Sequence, residues 1–534
     1  MGSMQKRLVT FLLLSLFWLF GGDRASCLHA ATNKGDLSIS QILSDPDSHL
    51  WTLQNISQLQ SFYQARAFQR AWTPALLDNL ILAINNSSDH GLSPCDYRVA
   101  LLEDLEIAEV QRELLATDSY LTLASHLLTG KVDPISIEPG WTAVGRHLDL
   151  VVHLEKALKG RMIQQSLEAL APHYPEYEEL KQALASYRGI AKHGGWGQVS
   201  PGKLMRLGSR GERVVELRER LKASGDLETD SDEDPAEFSK TLEQAVIQFQ
   251  KSVNLETDGI VGPNVLRNLN KHPEDRIGVL RINMERWRWL PEDLGRRHIR
   301  VNIAGFFLET YENWALVARH KVIVGLNYRQ SPIFSDAIEY LIFNPWWYAP
   351  RKVAVKDKLP MFRYDPGYFH KSGFQLLDRD GKQVAEGSVN WNRLSENNFP
   401  YQLRQMPGPK NALGRVKFIF PNKYDVYLHD TPSIELFAKI QRGFSSGCIR
   451  VEKPLDLAEW ILSAQSGWNL DRIEKVVDRG KETRINLVDP LPIHLLYWTV
   501  FVDRGNKEVR FINDQYQRDP LILAALDTMC PIAQ

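Results

Sequence analysis

Residues 416–430 read VKFIFPNKYDVYLHD, and residues 444–451 read FSSGCIRV. In the first stretch, apolar and polar side chains alternate on both sides of residues 421–423, which is the pattern of two strands joined by a tight turn. The period of two predicts a β-hairpin over residues 417–430. We therefore expect this part of the chain to fold as a β-sheet domain.

The two faces of the second predicted strand carry different kinds of side chain. Successive side chains of a strand point to opposite faces, so one face takes the apolar set Tyr424, Val426 and Leu428. The opposite face takes Asp425, Tyr427 and His429. Because the apolar set is expected to pack on the core, we expect His429 to stand at the strand end on the face of a cleft.

The same period of two appears upstream at residues 299–303, and it predicts a β-rich domain over residues 277–502. Residues 350–413 break this rhythm with many charges, glycines and prolines. We interpret them as a subdomain inserted between strands, where it serves as a lid. Residues 503–534 remain as a C-terminal tail.

The N-terminal half follows helical spacing instead. Apolar residues recur three and four positions apart over residues 36–198, which predicts a helical domain. The glycine-rich run 194–197 is interpreted as a linker, and residues 203–272 predict a small domain of short helices. A chain of 534 residues is also too long for one core. The predicted fold class is therefore multi-domain α+β.

Residues 1–31 have the layout of a secretory signal. Two basic residues precede an apolar run over residues 8–20, and small residues follow it. The run is shorter than the ~20 residues that a spanning helix needs. A retained anchor and lipid attachment at Cys27 remain as alternatives to cleavage. Residues 1–3 are interpreted as a remnant of an expression tag.

The composition excludes several classes of function. Lys plus Arg number 64 against 65 Asp plus Glu, a net charge of −1, so nothing predicts nucleic-acid binding. Four cysteines in 534 residues are too few for a disulfide scaffold. No Cys or His cluster has the spacing of a metal site. We therefore predict neither a metal nor another cofactor.

A loop of small residues presents Cys448 just before a helix that is expected to begin near Pro454. A free thiol with a pKa of ~8.5 is only slightly ionised at neutral pH, so a nucleophilic cysteine needs a base. His429 is the nearest candidate, since no other histidine occurs between His370 and His494. The alternative is that Cys448 is a small buried apolar residue and that His429 has no part in catalysis.

The residues around this pair resemble the catalytic signature of the L,D-transpeptidases, which runs from a histidine to a Ser-His-Gly-Cys sequence. The resemblance lies in residues 427–432, Arg442 and residues 444–451. Other elements resemble the large, multi-domain branch of that family, namely residues 283–291, 324–325, 343–347 and 413–418. That branch combines a helical scaffold, a peptidoglycan-binding domain and a β-rich catalytic domain with an inserted capping subdomain.

The small helical segment 203–272 resembles a three-helix peptidoglycan-binding domain. The matching residues are 207–217, 249–250 and 258–262. The resemblance therefore implies that peptidoglycan stem peptides are the partners of the protein.

The resemblance implies a role for each residue of the signature. Cys448 would be the nucleophile, His429 the general base, and the backbone carbonyl of Asp430 would orient the imidazole. The backbone N–H groups of Gly447 and Cys448 would stabilise the oxyanion. We also expect Cys448 to be unpaired, since a disulfide would block the nucleophile.

Three further residues complete the predicted site. Ser446 stands where the commonest family form has a histidine, so whatever that imidazole contributes must come here from Ser446, from water or from nothing. Arg450 is expected to bind a substrate carboxylate, with a structural ion pair as the alternative. Tyr427 is expected to line the cleft, with aromatic packing as the alternative.

The implied function is an L,D-transpeptidase that forms 3-3 peptidoglycan cross-links through a cysteine acyl-enzyme on tetrapeptide stems, with release of D-alanine. The implied location is the periplasm, without stable membrane insertion after signal removal, and carbapenems are implied to acylate the cysteine. The alternatives are an L,D-carboxypeptidase, another Cys-His cell-wall hydrolase, or a non-catalytic wall-binding protein.

Overall fold

The computed structural model describes residues 38–44, 53–228, 234–365, 367–503 and 508–528. The predicted signal at residues 1–31, including Cys27, lies outside these ranges. Within them, no helix combines the length and the apolar character needed to cross a membrane.

The first part of the described chain is helical. Its helices are α1 (Ile39–Ser44), α2 (Ile56–Ala65), α3 (Pro74–Asn86), α4 (Val99–Glu103), α5 (Glu109–Thr129), α6 (Pro134–Ile137), α7 (Leu150–Gly160), α8 (Ile163–Glu168) and α9 (Pro175–Lys192). α5 is buried around most of its circumference, and α2, α3 and α7 pack against it. Side-chain oxygens of Thr73 and Asp149 cap the N-termini of α3 and α7.

Three helices form the next unit, which has a small apolar core of its own. They are α10 (Glu212–Ala223), α11 (Lys240–Ser252) and α12 (Pro263–Leu269). Ser239 caps α11 by accepting a hydrogen bond from the N–H of Leu242 at 3.1 Å. Pro263 occupies the first turn of α12, where a missing N–H has no cost.

The next helix, α13 (Pro273–Arg288), departs from the sequence prediction, which started the β-rich domain at residue 277. Both polar and apolar side chains of α13 are buried, and Trp287 stacks on Trp498 with 4.4 Å between the ring centroids. A helix enclosed on most sides shows no single apolar stripe, so its period is hidden in the sequence. The first strand begins only at Arg297.

The C-terminal half contains all the strands of the described chain. They are β1 (Arg297–Asn302), β2 (Phe307–Glu312), β3 (Ala315–Gly325), β4 (Phe334–Phe343), β5 (Trp347–Tyr348), β6 (Phe374–Leu377), β7 (Gln383–Val384), β8 (Gln402–Gln405), β9 (Val416–Ile419), β10 (Leu428–His429), β11 (Gly443–Ser445), β12 (Ile449–Val451), β13 (Thr483–Leu496), β14 (Val500–Asp503) and β15 (Glu508–Phe511). The helices among them are α14 (Arg351–Val353), α15 (Leu359–Tyr364), α16 (Tyr368–Lys371), α17 (Pro454–Leu462), α18 (Leu470–Asp478) and α19 (Asp519–Leu526).

A nine-stranded sheet forms the centre of this half, with the spatial order β11-β3-β12-β10-β9-β4-β13-β1-β2. β2 also pairs with β3, so the sheet closes on itself. The helices α17 and α18 add apolar side chains to the core of this sheet. Together with the helical N-terminal part, this gives the predicted multi-domain α+β fold.

Residues 347–405 form a second, four-stranded sheet with the order β5-β8-β6-β7. Its aromatic core is separate from that of the large sheet. The described residues of the segment 350–413 contribute no strand to the nine-stranded sheet, and the flanking strands β4 and β9 pair directly. We call residues 347–413 the cap.

The predicted hairpin has a longer loop than the sequence suggests. β10 pairs with β9 only through Leu428 and His429, so the expected strand over residues 424–427 is wrong. The amide of Asn422 donates to the carbonyls of Phe420 and Val426 at 2.6 and 2.8 Å. These bonds replace the strand ladder with a compact loop, a frequent effect of Asn side chains.

Residues 508–528, expected within a tail, are folded. β15 pairs with β14, and α19 packs against α13. The carboxylate of Asp519 accepts a hydrogen bond from Arg286 at 2.7 Å in a buried position. The end of the described chain is therefore part of the protein core.

Candidate active site

The parallel pairing of β10 with β12 builds the face on which the predicted site residues meet. In this ladder Leu428 lies opposite Ile449, and His429 lies opposite Arg450. Opposite residues share a face, and side chains alternate along each strand. Leu428 and Ile449 are buried in the sheet core. The other face therefore takes His429 and Arg450. Tyr427 and Cys448, the residues just before the two strands, lie beside this face, since the Tyr427 ring contacts that of His429 and its hydroxyl interacts with Cys448.

His429 is held as a neutral imidazole with one nitrogen engaged. Its Nδ1 lies 2.5 Å from the backbone carbonyl oxygen of Asp430, which only accepts, so Nδ1 carries the hydrogen. Burial, followed by the charges of Arg450 and Lys417, lowers the pKa of His429 from 6.5 to about 3. The ring is therefore neutral at pH 7, and Nε2 has a lone pair that accepts a proton.

Cys448 is a free thiol, so the prediction that it is unpaired is confirmed. Burial raises its pKa, while hydrogen bonds from the backbone and the hydroxyl of Tyr427 and the charge of Arg450 act in the opposite direction. Sγ also lies 3.7 Å from the carbonyl oxygen of Asp425. The resting site thus holds a neutral thiol and a neutral imidazole, and the thiol needs a base before it can attack.

The hydrogen bonds of Sγ within the described chain go to Asp425 and Tyr427 and not to His429. Catalytic hydrogen bonds are often long or absent in an empty site and tighten when substrate binds. The contact of Tyr427 with both residues and the free Nε2 therefore make His429 the candidate base without a bond in the resting state.

Tyr427 contacts both members of this pair. Its ring lies edge-on to the His429 ring with 5.7 Å between centroids, and its hydroxyl interacts with Cys448. Burial, with the nearby Cys448, raises the pKa of Tyr427, so its hydroxyl stays protonated and donates. The ring also packs against the cores of both the large sheet and the cap. Tyr427 therefore packs against both cores while its hydroxyl reaches Cys448.

The side chain of Asp430 fixes the carbonyl that holds His429. Its Oδ2 accepts hydrogen bonds from the N–H and the Nε of Arg415, each at 2.9 Å, and its Oδ1 accepts from the N–H of Thr431 at 2.7 Å. Gly414 has a φ of +58°, and a Cβ there would collide with this carboxylate. Because Gly414 has no side chain, the Asp430 side chain can lie directly against its backbone.

The loop before Cys448 is shaped by Ser445 and Gly447. Ser445 Oγ donates to the carbonyl of Cys448 at 2.5 Å and accepts from the N–H of Gly447 at 3.1 Å. Gly447 has a φ of +121°, which a side chain would strain. The N–H of Gly447 is therefore already hydrogen-bonded to Ser445, and this bond holds the conformation of the loop. The N–H of Cys448 has no hydrogen-bond partner among the described residues.

Hydrogen bonds among Gly325, Ser331 and Tyr516 support this loop from behind. Ser331 Oγ donates to the carbonyl of Gly447 at 2.7 Å and accepts from the N–H of Gly325 at 3.0 Å. The Tyr516 hydroxyl accepts from the N–H of Ser331 at 3.3 Å and donates to the carbonyl of Gly325 at 2.6 Å. Sequence reasoning missed Ser331 and Tyr516, because neither lies near the signature and no local pattern marks them.

Arg329 joins the cap to the loop before Cys448. Its guanidinium binds the Asp357 carboxylate in the cap through two hydrogen bonds, at 2.5 and 2.8 Å. The same Nη1 donates to Ser446 Oγ at 2.9 Å. We call this contact of Arg329 with Asp357 and Ser446 the cap clasp. Ser446 was predicted in the site from the sequence, whereas no sequence pattern marks Arg329 or Asp357.

Arg450 lies beside His429 and Cys448 and has no ion-pair partner among the described residues. Its Nε is buried and unbonded there, and burial lowers the pKa of Arg450, while Cys448 and Glu435 raise it. A buried guanidinium with an unused donor can form a charge-assisted hydrogen bond with a carboxylate of the substrate. The alternative of a structural ion pair is not observed in the described part of the chain.

The described ranges contain no group of three or more His, Cys, Asp and Glu side chains arranged to hold a metal. What the site offers instead is a thiol, a proton acceptor, a phenol and a guanidinium, on Cys448, His429, Tyr427 and Arg450. A thiol beside a neutral imidazole is the combination that cysteine nucleophiles use for activation by a general base.

Three protein-family models match separate parts of the chain. A "Scaffold domain" matches residues 57–184, a "Putative peptidoglycan binding domain" matches residues 210–269, and an "L,D-transpeptidase catalytic domain" of the YkuD type matches residues 296–484. The last range contains the large sheet up to the start of β13, the cap and all the site residues from Tyr427 to Arg450.

Among curated proteins, a "Putative L,D-transpeptidase" from Haemophilus influenzae is 36% identical over 227 residues. The match covers 42% of this chain and 45% of the relative, so it spans less than half of that protein's length.

Two solved structures were also found. An L,D-transpeptidase from Xylanimonas cellulosilytica has 14% identity and a TM-score of 0.18, with 56% of this chain and 99% of that chain covered. A fused zinc-dependent amidase/peptidase with a peptidoglycan-binding domain, from Clostridium acetobutylicum, has 12% identity and a TM-score of 0.14, with coverage of 55% and 100%. Scores this low leave the assignment to the family models and the curated relative. On these grounds the chain combines a region that matches a scaffold domain, one that matches a peptidoglycan-binding domain and one that matches an L,D-transpeptidase catalytic domain of the YkuD type.

Proposed function

We propose that the protein is an L,D-transpeptidase that forms 3-3 cross-links between peptidoglycan stem peptides. The observation that carries the proposal is the placement of Cys448 beside the face of His429, with Tyr427 in contact with both. The domain composition supports peptidoglycan as the partner. Because peptidoglycan lies outside the cytoplasmic membrane, the proposed location is the periplasm.

In the acylation half-reaction, Sγ of Cys448 attacks the carbonyl carbon of the third residue of a tetrapeptide stem while Nε2 of His429 takes the thiol proton. The tetrahedral adduct then breaks its C–N bond to the terminal D-alanine. The imidazolium returns the proton to the leaving amine, so D-alanine departs neutral at nitrogen. A thioester on Cys448 results.

In the second half-reaction, the side-chain amine of a neighbouring stem attacks the thioester. Nε2 of His429 takes a proton from that amine and delivers it to the departing sulfur of Cys448. An amide joins the two stems and the free thiol is regenerated. With water in place of the amine, the same steps would trim the stem by one residue.

The oxyanion of each tetrahedral adduct needs a donor that is already in place. We assign this role to the N–H of Cys448, which has no partner among the described residues, and not to Gly447, whose N–H is bound by Ser445. Arg450 is assigned to a substrate carboxylate on the same face. Ser446 acts through the cap clasp and supplies no second base.

The proposal is tested by incubating the protein with purified tetrapeptide-stem muropeptides and analysing the products by mass spectrometry. We expect a dimer that is lighter than two monomers by one D-alanine. A tripeptide product alone would make the protein an L,D-carboxypeptidase. If no stem is shortened or joined, the proposal is wrong, and a wall-binding protein without catalysis becomes the better account.

The cap clasp is expected to contribute to catalysis. Asp357→Asn removes the charge that holds Arg329, and we expect kcat/KM for cross-linking to fall roughly tenfold, the value of one charge-assisted hydrogen bond. The matched control is Glu396→Gln, which breaks the ion pair with Lys356 at 3.4 Å inside the cap. Steady-state kinetics on both variants provide the check. Equal effects would show that the clasp only stabilises the cap.

The hydroxyl of Tyr427 is expected to tune the thiol. Tyr427→Phe removes a donor that lowers the pKa of Cys448, so that pKa should rise further above its ordinary value. The rate of alkylation by iodoacetamide against pH should therefore show its midpoint at higher pH, with a several-fold slower cross-linking rate. Tyr340→Phe, on strand β4, is the control. A midpoint that does not move would contradict the assigned contact.

A further inference from the structure

Lys417 stands beside His429 in the large sheet, and none of the proposed reaction steps uses it. In the antiparallel pairing of β9 with β10, Lys417 lies directly opposite His429. Arg450 lies opposite His429 on the other side, through the pairing of β10 with β12. Residues that lie directly opposite each other share a face of the sheet. Lys417, His429 and Arg450 therefore form a row across three neighbouring strands, with the imidazole in the middle.

The ammonium group of Lys417 lies close to the reacting groups. Its Nζ is 5.7 Å from the centre of the Tyr427 ring, which is the ring that contacts His429 and whose hydroxyl reaches Cys448. Burial lowers the pKa of Lys417, while Glu482 and Cys448 act in the opposite direction. Lys417 in turn adds to the effect of burial that lowers the pKa of His429. A positive charge therefore lies within range of both the imidazole and the thiol.

The described part of the chain gives this ammonium no partner of its own. Lys417 has no side-chain hydrogen bond or ion pair there. Glu482, the acidic residue that acts on its pKa, accepts instead a hydrogen bond from the N–H of Trp346 at 2.7 Å. Lys417 is half-buried, and Nζ is not among the unbonded atoms that the protein seals from solvent. The donors of Lys417 are therefore open to an anionic group of a bound ligand.

The order of the strands gives the direction in which a stem peptide is split. Cys448 directly precedes β12, His429 lies on β10 and Lys417 on β9, and these strands are neighbours in that order. In the proposed acylation, the acyl carbon is bonded to Sγ while the leaving nitrogen takes its proton from Nε2 of His429. The leaving D-alanine therefore extends across His429 toward β9. One carbon atom separates its nitrogen from its carboxylate, so the carboxylate comes within reach of the long, flexible side chain of Lys417.

We propose that Lys417 binds the carboxylate of the terminal D-alanine and thereby selects stems that end in a free carboxylate. The proposal rests on the proposed function, since it needs acylation of Cys448 by a tetrapeptide stem. The backbone of Arg450 lies two strand spacings, about 10 Å, from that of Lys417. Arg450 is therefore left to a carboxylate of the part of the stem that stays on Cys448. In this arrangement Lys417 is a specificity-determining residue and transfers no proton.

The test measures acylation of the full chain by two tetrapeptide-stem substrates that differ only at the C-terminus. One ends in D-alanine and the other in D-alaninamide, so the same C–N bond breaks and the same acyl-enzyme forms. Intact-mass measurement over time gives the second-order rate constant of acylation for each substrate. We expect this constant to be at least about tenfold higher for the free carboxylate, the value of one charge-assisted hydrogen bond. Equal rate constants would overturn the proposal.

Variants of Lys417 then assign the preference to this side chain. Lys417→Gln should remove it by slowing the carboxylate substrate to the rate of the amide, and Lys417→Arg, which keeps the charge, should retain much of it. The matched control is Lys423→Gln, because Lys423 also lies over a tyrosine ring, that of Tyr424 at 5.2 Å, but is exposed. The control should keep the full preference. A change in folding or in the pKa of His429 would slow both substrates alike, so the ratio of the two rate constants isolates the contact with the carboxylate.

Arg450→Gln tests the other cation of the row. We expect this variant to slow both substrates and to leave their ratio unchanged. If Arg450→Gln removes the preference and Lys417→Gln keeps it, the assignment to Lys417 is wrong. Acylation of the parent protein by both substrates at equal rates would refute this inference and leave the proposed function intact. Acylation by neither substrate would refute the proposed function itself, and this inference with it.

Discussion

Replacing Cys448 with alanine is expected to abolish product formation from tetrapeptide stems. Removal of the nucleophile from a concerted catalytic group typically costs about 10⁶ in kcat, which leaves only background. Intact-mass measurement gives a second readout: the parent protein should gain the mass of the stem minus D-alanine, and the variant should gain nothing. A carbapenem should likewise add its whole mass to the parent protein, because opening of its ring releases no leaving group.

The control is to show that the alanine variant is folded like the parent protein. Sγ of Cys448 has its described hydrogen bonds with Asp425 and Tyr427, and the apolar core below it is made by Ile449 and Leu428. The alanine variant should therefore unfold at nearly the same temperature as the parent. An acyl adduct that forms on the alanine variant would disprove the assignment of the nucleophile.

His429→Asn is expected to lower the cross-linking rate by about 10²–10⁴, the usual contribution of a general base. Asparagine keeps a polar side chain of similar size but accepts no proton at neutral pH. The matched control is His320→Asn, since His320 is also buried and its Nδ1 bonds a backbone carbonyl, that of Glu452, at 3.0 Å. Pre-steady-state acylation rates compare the two variants. Equal losses would assign the effect to burial of any histidine in this sheet.

The same histidine determines the expected pH dependence. Because burial lowers the pKa of His429 to about 3, the neutral base is fully present at every pH above about 5 and is lost only as pH falls toward 3. The acylation rate should therefore show no inflection near pH 6.5, where an ordinary histidine titrates. Since burial raises the pKa of Cys448, direct alkylation of the thiol should increase only at alkaline pH. An acid limb near pH 6.5 that His429→Asn removes would contradict this account.

Much of the candidate site is visible in the sequence because its signals are local. The period of two predicted that Tyr427 and His429 lie together, and in the structure their rings are in edge-on contact. The small residues around Gly447 predicted a tight loop, which its φ of +121° confirms. The hairpin turn was placed wrongly because the side chain of Asn422 organises a longer loop. A side-chain hydrogen bond of this kind produces no periodic pattern in the sequence.

Other parts of the site depend on residues that no local pattern connects. Outside the site, the helix α13 was hidden because a helix buried on most sides has no apolar stripe. Tyr516 was assigned to a tail, yet its hydroxyl supports the loop that holds Gly447. In the sequence, nothing distinguishes Arg329 and Asp357 from other charged residues. They form the cap clasp only because the fold brings Asp357 of the cap next to Arg329.

By itself, the sequence determined which face of the strand carries His429, which loop carries Cys448, and the multi-domain class of the chain. These follow from side-chain alternation and from turn and helix signals, which act over a few residues. Only the tertiary structure decided that Arg450 stands opposite His429, that the N–H of Gly447 is occupied, and that burial keeps the Cys448 thiol and the His429 imidazole neutral. Those properties depend on strand pairing and on burial, which bring together segments that are far apart in the chain. No short stretch of sequence can therefore reveal them.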